Sequence, residues 1–282
     1  MTDSESSTEP AFLYARSGIV PVRREANDAS EMLTQLLLGE TAKVIDARER
    51  WLHITADYDG YSGWVNRNQM QYLSRTEYIN WRDHRSRQRS PYAGFRIRNN
   101  RDSLWVPSGA TVIIENGRVY LPDAAYDFVS EPRVIKHNRI IETASEFLGT
   151  PYLWGGRTDT GIDCSGFIQT VFAIHGSVLP RDSRDQFKIM EPYTTDINEA
   201  KPGDVIYFNT SGGPITHVGL YIGDGILLHA SGNVKRNYIG NEPGNKTHFH
   251  YNQRLAEHIK GIQSGQSLYE YGQKKLNSSV LN

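Results

Sequence analysis

Apolar and polar positions divide the chain into three regimes. Between 11 and 75 the apolar residues come in short runs: Met32 to Leu38, Ala42 to Asp46, Trp51 to Thr55 and Ser62 to Val65. Gly39-Glu40, Arg48-Glu49-Arg50 and Asp57-Tyr58-Asp59-Gly60 separate them. Turn residues at that spacing predict short strands closing into a small β-barrel over 11–75. From 76 to 135 the signal weakens. Leu104 to Gly109, Thr111 to Glu115 and Arg118 to Leu121 predict further strands and a second, diverged barrel. From about 136 the apolar period lengthens. Ile140, Ile141, Ala144, Phe147 and Leu148 mark an amphipathic helix closed by Gly149 and Pro151. Phe167, Ile168, Val171, Phe172 and Ile174 mark a second, with Asp163 suited to its N-cap and Gly176 to its stop. Val205 to Phe208, His217 to Ile222 and Ile226 to Ala230 then read as strands. A helix packed on an antiparallel sheet makes 136–262 an α+β domain. Residues 1–10 read as a disordered tail, and 263–282 as a polar, poorly ordered one.

Charge and composition narrow the picture by exclusion. A net charge of −1 supplies no global field for nucleic acid or an anionic membrane. No apolar run approaches the roughly 20 residues of a spanning helix. Met1 to Pro10 is polar and lacks a signal-peptide core, so the chain as it stands is expected in the cytoplasm, a trimmed export signal being the alternative. The four arginines of Arg82 to Arg89 read first as a solvated loop and second as an anion-binding patch.

The single cysteine forms no internal disulfide, and its position is chemically loaded. Cys164 falls in the first turn of the second helix, where the positive end of the macrodipole favours thiolate. A buried structural cysteine is the plainer reading. A nucleophilic cysteine needs a base, and the base an orienting group. His217 and His229 lie on two predicted strands joined through Gly223-Asp224-Gly225. A two-residue turn would pair His229 with Leu220 and face it away from His217. A three-residue loop would set it opposite Gly219, on the face of His217 and within diagonal reach. The three-residue loop is adopted here.

Five motifs in order now carry a resemblance: Thr150 to Gly156, Asp163-Cys164-Ser165-Gly166-Phe167, Leu179-Pro180-Arg181-Asp182-Ser183, Lys201-Pro202-Gly203-Asp204 and His217 to Gly223. Over about 136–235 the chain resembles the NlpC-type cysteine peptidases of bacterial cell-wall peptides. The resemblance implies a papain-like fold, with Cys164 as nucleophile, His217 as base and His229 as third member. Tyr152 matches a tyrosine near the oxyanion site, or packs beside Trp154. Asp59-Gly60-Tyr61-Ser62-Gly63-Trp64-Val65 and its neighbours resemble a bacterial Src-homology-3-like barrel. In the subgroup with that architecture, a barrel tyrosine closes one end of the groove and helps recognise a free N-terminal L-Ala amine. Tyr61 matches it. Asp163 offers a carboxylate to the ammonium, and Ser165 and Ser183 match substrate-contacting positions. Each also has a plainer reading, as N-cap, surface aromatic or helix-start residue.

The resemblance therefore implies a cysteine endopeptidase cutting the γ-D-glutamyl-diamino acid bond of L-Ala-γ-D-Glu-diamino acid peptides, in murein peptide recycling or degradation. It requires no cofactor and no metal. His248-Phe249-His250 has strand spacing for two metal ligands but no third partner by motif, and reads as solvent-facing. An amidase or acyltransferase on the same core, and a catalytically weak wall-peptide-binding protein, are the competing readings. L-Lys and meso-diaminopimelate both fit as the diamino acid, and oligomeric state stays open. A thiolate–imidazolium resting pair is expected.

Overall fold

The computed structural model of the chain describes residues 11–209, 213–240 and 250–279. Seven short strands come first: β1 (Phe12–Ala15), β2 (Ile19–Arg23), β3 (Met32–Leu37), β4 (Thr41–Arg48), β5 (Trp51–Ala56), β6 (Ser62–Asn66) and β7 (Met70–Leu73). They form one antiparallel sheet in the order β3-β2-β6-β5-β4-β1-β7. Alternation explains them. Leu52, Ile54 and Ala56 are buried while His53 and Thr55 between them are partly exposed. All seven strands feed one core that includes Leu13, Val20, Val22, Leu36, Ala42, Val65 and Met70, so the sheet wraps around it.

A capping box at Ser74 and Glu77 starts α1 (Arg75–Arg82). Six further strands follow: β8 (Arg87–Arg89), β9 (Phe95–Arg98), β10 (Ser103–Val106), β11 (Thr111–Glu115), β12 (Arg118–Tyr120) and β13 (Ala125–Phe128). Their core of Phe95, Ile97, Val112, Val119 and Tyr126 also contains Leu37, Leu38 and Trp81, so the second sheet is completed by the first. The contact is close. A Cβ on Gly39, whose φ is +81°, would lie 1.9 Å from the Thr111 carbonyl. The polar run from Arg82 to Arg89 is not a solvated loop throughout. Its ends belong to α1 and β8, and Arg89 is 13% exposed against Glu40.

The α+β unit contains α2 (Ile140–Ser145), the hairpin β14 (Arg157–Thr158) and β15 (Gly161–Ile162), α3 (Cys164–Ile174) and α4 (Ser183–Phe187). Then come β16 (Val205–Phe208), β17 (His217–Gly223), β18 (Ile226–Ser231), β19 (Asn233–Tyr238), α5 (Gln253–Ala256), β20 (Ile259–Gln263) and α6 (Gly265–Ser279). The antiparallel sheet runs β19-β18-β17-β16-β20. Every residue of α3 is buried. Phe167, Ile168, Val171 and Phe172 share a core with Val218, Leu220, Leu228 and Ala230 of the sheet. Another side of α3 meets the first barrel, where the Gln169 amide donates to Asp59 at 2.9 Å. That contact explains a polar side chain buried mid-helix.

One expectation is overturned. The chain beyond 263 is not a loose polar tail. β20 pairs with β16, and α6 follows at once, with Leu268 fully buried. Gly272 lets this helix approach so closely that a Cβ would lie 2.0 Å from Ser177 Oγ. Leu268, with Tyr269 and Tyr271 packed against the same core, and the close approaches at Gly265 and Gly272 anchor a mostly polar helix, which is why its composition concealed it. The expected tail at 1–10 lies outside the described residues. Among the described residues, no helix is long and apolar enough to cross a membrane.

The three units meet at Glu40. Its carboxylate, 1% exposed, accepts from Arg157 of β14 at 3.1 Å from each of two guanidinium nitrogens, and from Arg89 of β8. The Tyr58 ring lies 4.0 Å and 5.2 Å from the two guanidinium carbons. Burial alone would raise the Glu40 carboxyl, but Arg157 and Arg89 outweigh it and hold it below its ordinary value. This contribution to stability is therefore present above the unfolded carboxyl range and is lost as pH falls through the folded value. Glu40→Ala would strand Arg157 in the interior and is expected to cost about 3–5 kcal/mol. Urea unfolding at neutral pH measures it, and a loss no larger than that of an exposed-pair control such as Asp28→Ala would refute the assignment.

Candidate active site

The nucleophile position is built by its flanks. Asp163 adopts extended backbone and accepts from the Gly166 amide at 2.7 Å, capping α3. Gly166 is required there, since a Cβ would lie 2.2 Å from the Gly156 carbonyl. Cys164 is thus the first helical residue, 9% exposed. Its sulfur lies beside the Val218 amide, one residue from His217.

His217 and His229 come together as required. Gly219 stands opposite His229, and its missing side chain is essential, because a Cβ would lie 2.9 Å from that of His229. His217 Nε2 and His229 Nδ1 are 2.7 Å apart, their rings nearly perpendicular at 83°. The connection differs from the three-residue loop expected. Gly223 pairs with Ile226, so Asp224-Gly225 forms a two-residue turn, both at positive φ. A bulge between Tyr221 and Gly223 then shifts the register by one, so that Leu220 pairs with Leu228. The bulge contributes the residue that the longer loop would have supplied. Beyond His229, its Nε2 lies 2.8 Å from Asn237 Oδ1 on β19. Asn237 went unread in the sequence, because only the strand register puts it on this face.

The expected substrate-binding residues separate into two groups. Asp163 and Ser165 are buried at 6% and 7% exposure and face Arg181. Asp163 takes guanidinium donors at 2.5 and 3.0 Å and the Gly155 amide at 2.8 Å. Ser165 Oγ accepts from Arg181 at 3.0 Å. Arg181 also donates to Thr34 of the first barrel at 2.8 Å. The Asp163 carboxylate expected to meet the ammonium is thus already paired with Arg181. The carboxylate beside Tyr61 is Asp182, whose Oδ2 accepts from the Tyr61 hydroxyl at 3.1 Å. Burial, which outweighs the bond from Tyr61 and the charge of Arg181, raises Asp182 above its ordinary value. Asp182 stood inside a quoted motif, and its partner across the domain boundary is what distinguishes it. Ser183 follows it as the first residue of α4, partly exposed. Tyr152 is half-buried near Cys164. Burial first, then the neighbouring Cys164 and Asp163, push its phenol up to about 12, so it stays protonated and can donate. Of the histidines expected to face solvent, His248 lies outside the described residues. His250 is exposed, with its backbone carbonyl accepting from Asn237 Nδ2 at 2.9 Å.

The surroundings of Cys164 and His217 oppose the ion pair expected. Burial, reinforced by Asp163, pushes the Cys164 thiol up to about 12. Burial, then His229 and Lys235, lowers His217 to about 3. Both effects favour a neutral thiol beside a neutral imidazole. The helix end that would stabilise a thiolate carries the Asp163 carboxylate at its cap, and the enclosed site penalises both charges.

A thiol, an imidazole dyad and a protonated phenol, set where a helix meets an antiparallel sheet, define a papain-like cysteine peptidase. Comparison with known proteins agrees. Residues 149–254 match the NlpC/P60 family, and 22–70 match the bacterial dipeptidyl-peptidase Sh3 domain. The chain is 33% identical over 218 residues to a gamma-D-glutamyl-L-lysine dipeptidyl-peptidase of Bacillus subtilis, covering 70% of this chain and 71% of that one. A Bacillus cereus protein of the same name is 26% identical over 260 residues, covering 81% and 76%. The crystal structure of an NlpC/P60 family protein from Bacillus cereus superposes with a TM-score of 0.71 at 22% identity, covering 89% of this chain and 98% of that one. The chain belongs to the NlpC/P60 family of cysteine peptidases, with a bacterial Src-homology-3 domain ahead of the catalytic one.

A raised thiol pKa means that the reactive thiolate is scarce at neutral pH. Alkylation of Cys164 by iodoacetamide is expected to be slow near pH 7 and to keep rising through about pH 9. A rate already level by about pH 6 would instead reveal a preformed thiolate–imidazolium pair.

Proposed function

We propose that this peptidase hydrolyses the γ-D-glutamyl-diamino acid bond of short peptidoglycan stem peptides that begin with a free L-Ala. The observation that carries this reading is the Tyr61–Asp182 contact across the domain boundary. It pairs a phenol of the first barrel with a carboxylate of the peptidase domain that immediately precedes Ser183. A carboxylate raised by burial gains from an ammonium, and an acylated amine would leave it without that partner. A cross-linked or glycan-attached strand presents no such amine. This favours short released peptides, and hence recycling or degradation of wall fragments. The names of the Bacillus relatives make L-Lys the first diamino acid to test.

In this reading His217 takes the proton from Cys164 as the sulfur attacks the γ-carbonyl of D-Glu. Proton transfer as the substrate arrives removes the need for a standing ion pair. Tyr152, protonated, donates to the developing oxyanion. The tetrahedral intermediate collapses as His217 returns the proton to the departing amine of the diamino acid. Water, deprotonated by His217, then hydrolyses the thioester and frees L-Ala-γ-D-Glu.

Mass spectrometry of L-Ala-γ-D-Glu-L-Lys incubated with the protein tests this, beside its N-acetylated form, the meso-diaminopimelate peptide and a Cys164→Ala control. Release of L-Ala-γ-D-Glu is expected from the free-amine peptides only, and none from the control. Asp182→Asn is expected to lower kcat/KM by about 10-fold or more through a lost ion pair, an order of magnitude for each 1.4 kcal/mol. Equal cleavage of the acetylated peptide would remove the ammonium site while leaving the peptidase.

A further inference from the structure

The hydrogen bonds around His229 have directions, and those directions determine which nitrogen of His217 carries its proton. Asn252 caps α5, with its Oδ1 accepting from the Leu255 amide at 3.1 Å. Its Nδ2 is therefore turned outward, toward Asn237 Oδ1 at 3.5 Å. Asn237 Nδ2 donates to the His250 carbonyl at 2.9 Å, and that carbonyl also accepts from the Tyr238 amide at 3.1 Å. Flipping the Asn237 amide would set its oxygen against a carbonyl and its nitrogen against a donor. The oxygen thus faces His229, and His229 must carry its proton on Nε2 to satisfy it. His229 Nδ1 is then an acceptor, so His217 Nε2 is the donor across the 2.7 Å bond. What remains on His217 is an unprotonated Nδ1, the form a general base requires.

The placement is systematic. His229 lies opposite Lys235 of β19, and Asn237 lies opposite Leu227 of β18. His217, His229 and Asn237 are successive diagonal neighbours on one face of three adjacent strands. Asn237 is 7% exposed and His229 is 1% exposed, so water does not substitute for either bond.

We propose that Asn237 is a positioning residue of the catalytic machinery. Oriented by the His250 carbonyl and by Asn252, it holds His229 and through it His217 in the Nε2–H tautomer, leaving His217 Nδ1 free to accept the Cys164 proton. This inference rests on Cys164 and His217 acting as nucleophile and base. The direction of the relay, from a helix cap through two amides to the base, is its new content. Among the described residues, the titratable groups facing the relay include Cys164 on α3 and Lys235 on β19. Lys235 opposes a positive charge on either imidazole.

Two measurements test it. Nitrogen-15 chemical shifts of the histidine rings in the resting protein read the tautomers without any turnover. Both His217 and His229 are expected as Nε2–H, and an Nδ1–H form at either would overturn the proposal. Kinetics on L-Ala-γ-D-Glu-L-Lys supply the second. Asn237→Leu removes the acceptor and is expected to lower kcat about 10–100-fold, as loss of an outer hydrogen-bond partner does, with KM little changed. Asn237→Asp keeps an acceptor at the same place. It is expected to restore most of that loss and to move the acid limb of the kcat profile up by about one pH unit, because a carboxylate favours the imidazolium. Thermal melts confirm that both variants are folded. If folded Leu and Asp variants share one rate and one pH profile, Asn237 does not position the base. Wild-type protein inactive on every peptide, with the expected tautomers present, would count against the substrate reading and not against the relay.

Discussion

The carboxylate of Glu40 joins three units of structure at one buried point. It leaves the turn between β3 and β4 of the first barrel and meets Arg89 of the second sheet and Arg157 of the peptidase domain. Burying a carboxylate costs several kcal/mol unless its lone pairs are satisfied. Here two guanidiniums and the Leu37 amide satisfy them, and the Gln35 carbonyl accepts from Arg157 at 2.7 Å. Any docking of the three units that separated these groups would leave unpaired charges inside. The placement of the barrel side chains at the site follows from it. Thr34 supports Arg181, Asp59 holds Gln169 of the nucleophile helix, and Tyr61 meets Asp182.

Two polar networks with separate tasks therefore converge on Cys164. One comes from the barrel side, through Arg181 to Asp163, and shapes the helix start. The other crosses the sheet diagonally and orients the base. The glycines mark where they are tightest: Gly166 under the Asp163 cap, and Gly219 beside His229. The charge of Arg181 favours the thiolate, but burial and Asp163 outweigh it. Burial and the Asp163 carboxylate both disfavour a standing thiolate, which leaves activation to His217 and an arriving substrate.

Much of this was legible from local pattern. Cys164 at a helix start followed from Asp163, from the glycine-rich approach and from the helical spacing after Phe167. The histidine pairing followed from strand periodicity, although a bulge rather than a longer loop supplies the register. Where reading failed, the controlling contact was remote or sparse. The helix after 263 fully buries only Leu268 of its apolar side chains and leans on two glycines, Gly265 and Gly272. Arg82 to Arg89 looked solvated because the partner of Arg89 lies 49 residues earlier. Asp163 looked available because Arg181, 18 residues on, carries no local sign of folding back onto it.

The sequence alone determined the order of the units, the helix that presents the cysteine and the two histidines on adjacent strands. These depend on spacings of a few residues, where backbone geometry dictates the outcome. Tertiary structure alone decided the charge of the site and the identity of its partners. Whether a carboxylate is free, whether a thiol is ionised and which nitrogen of an imidazole holds its proton depend on desolvation and on groups distant in the chain. Those quantities come into existence only when the barrel and the second sheet close against the peptidase domain.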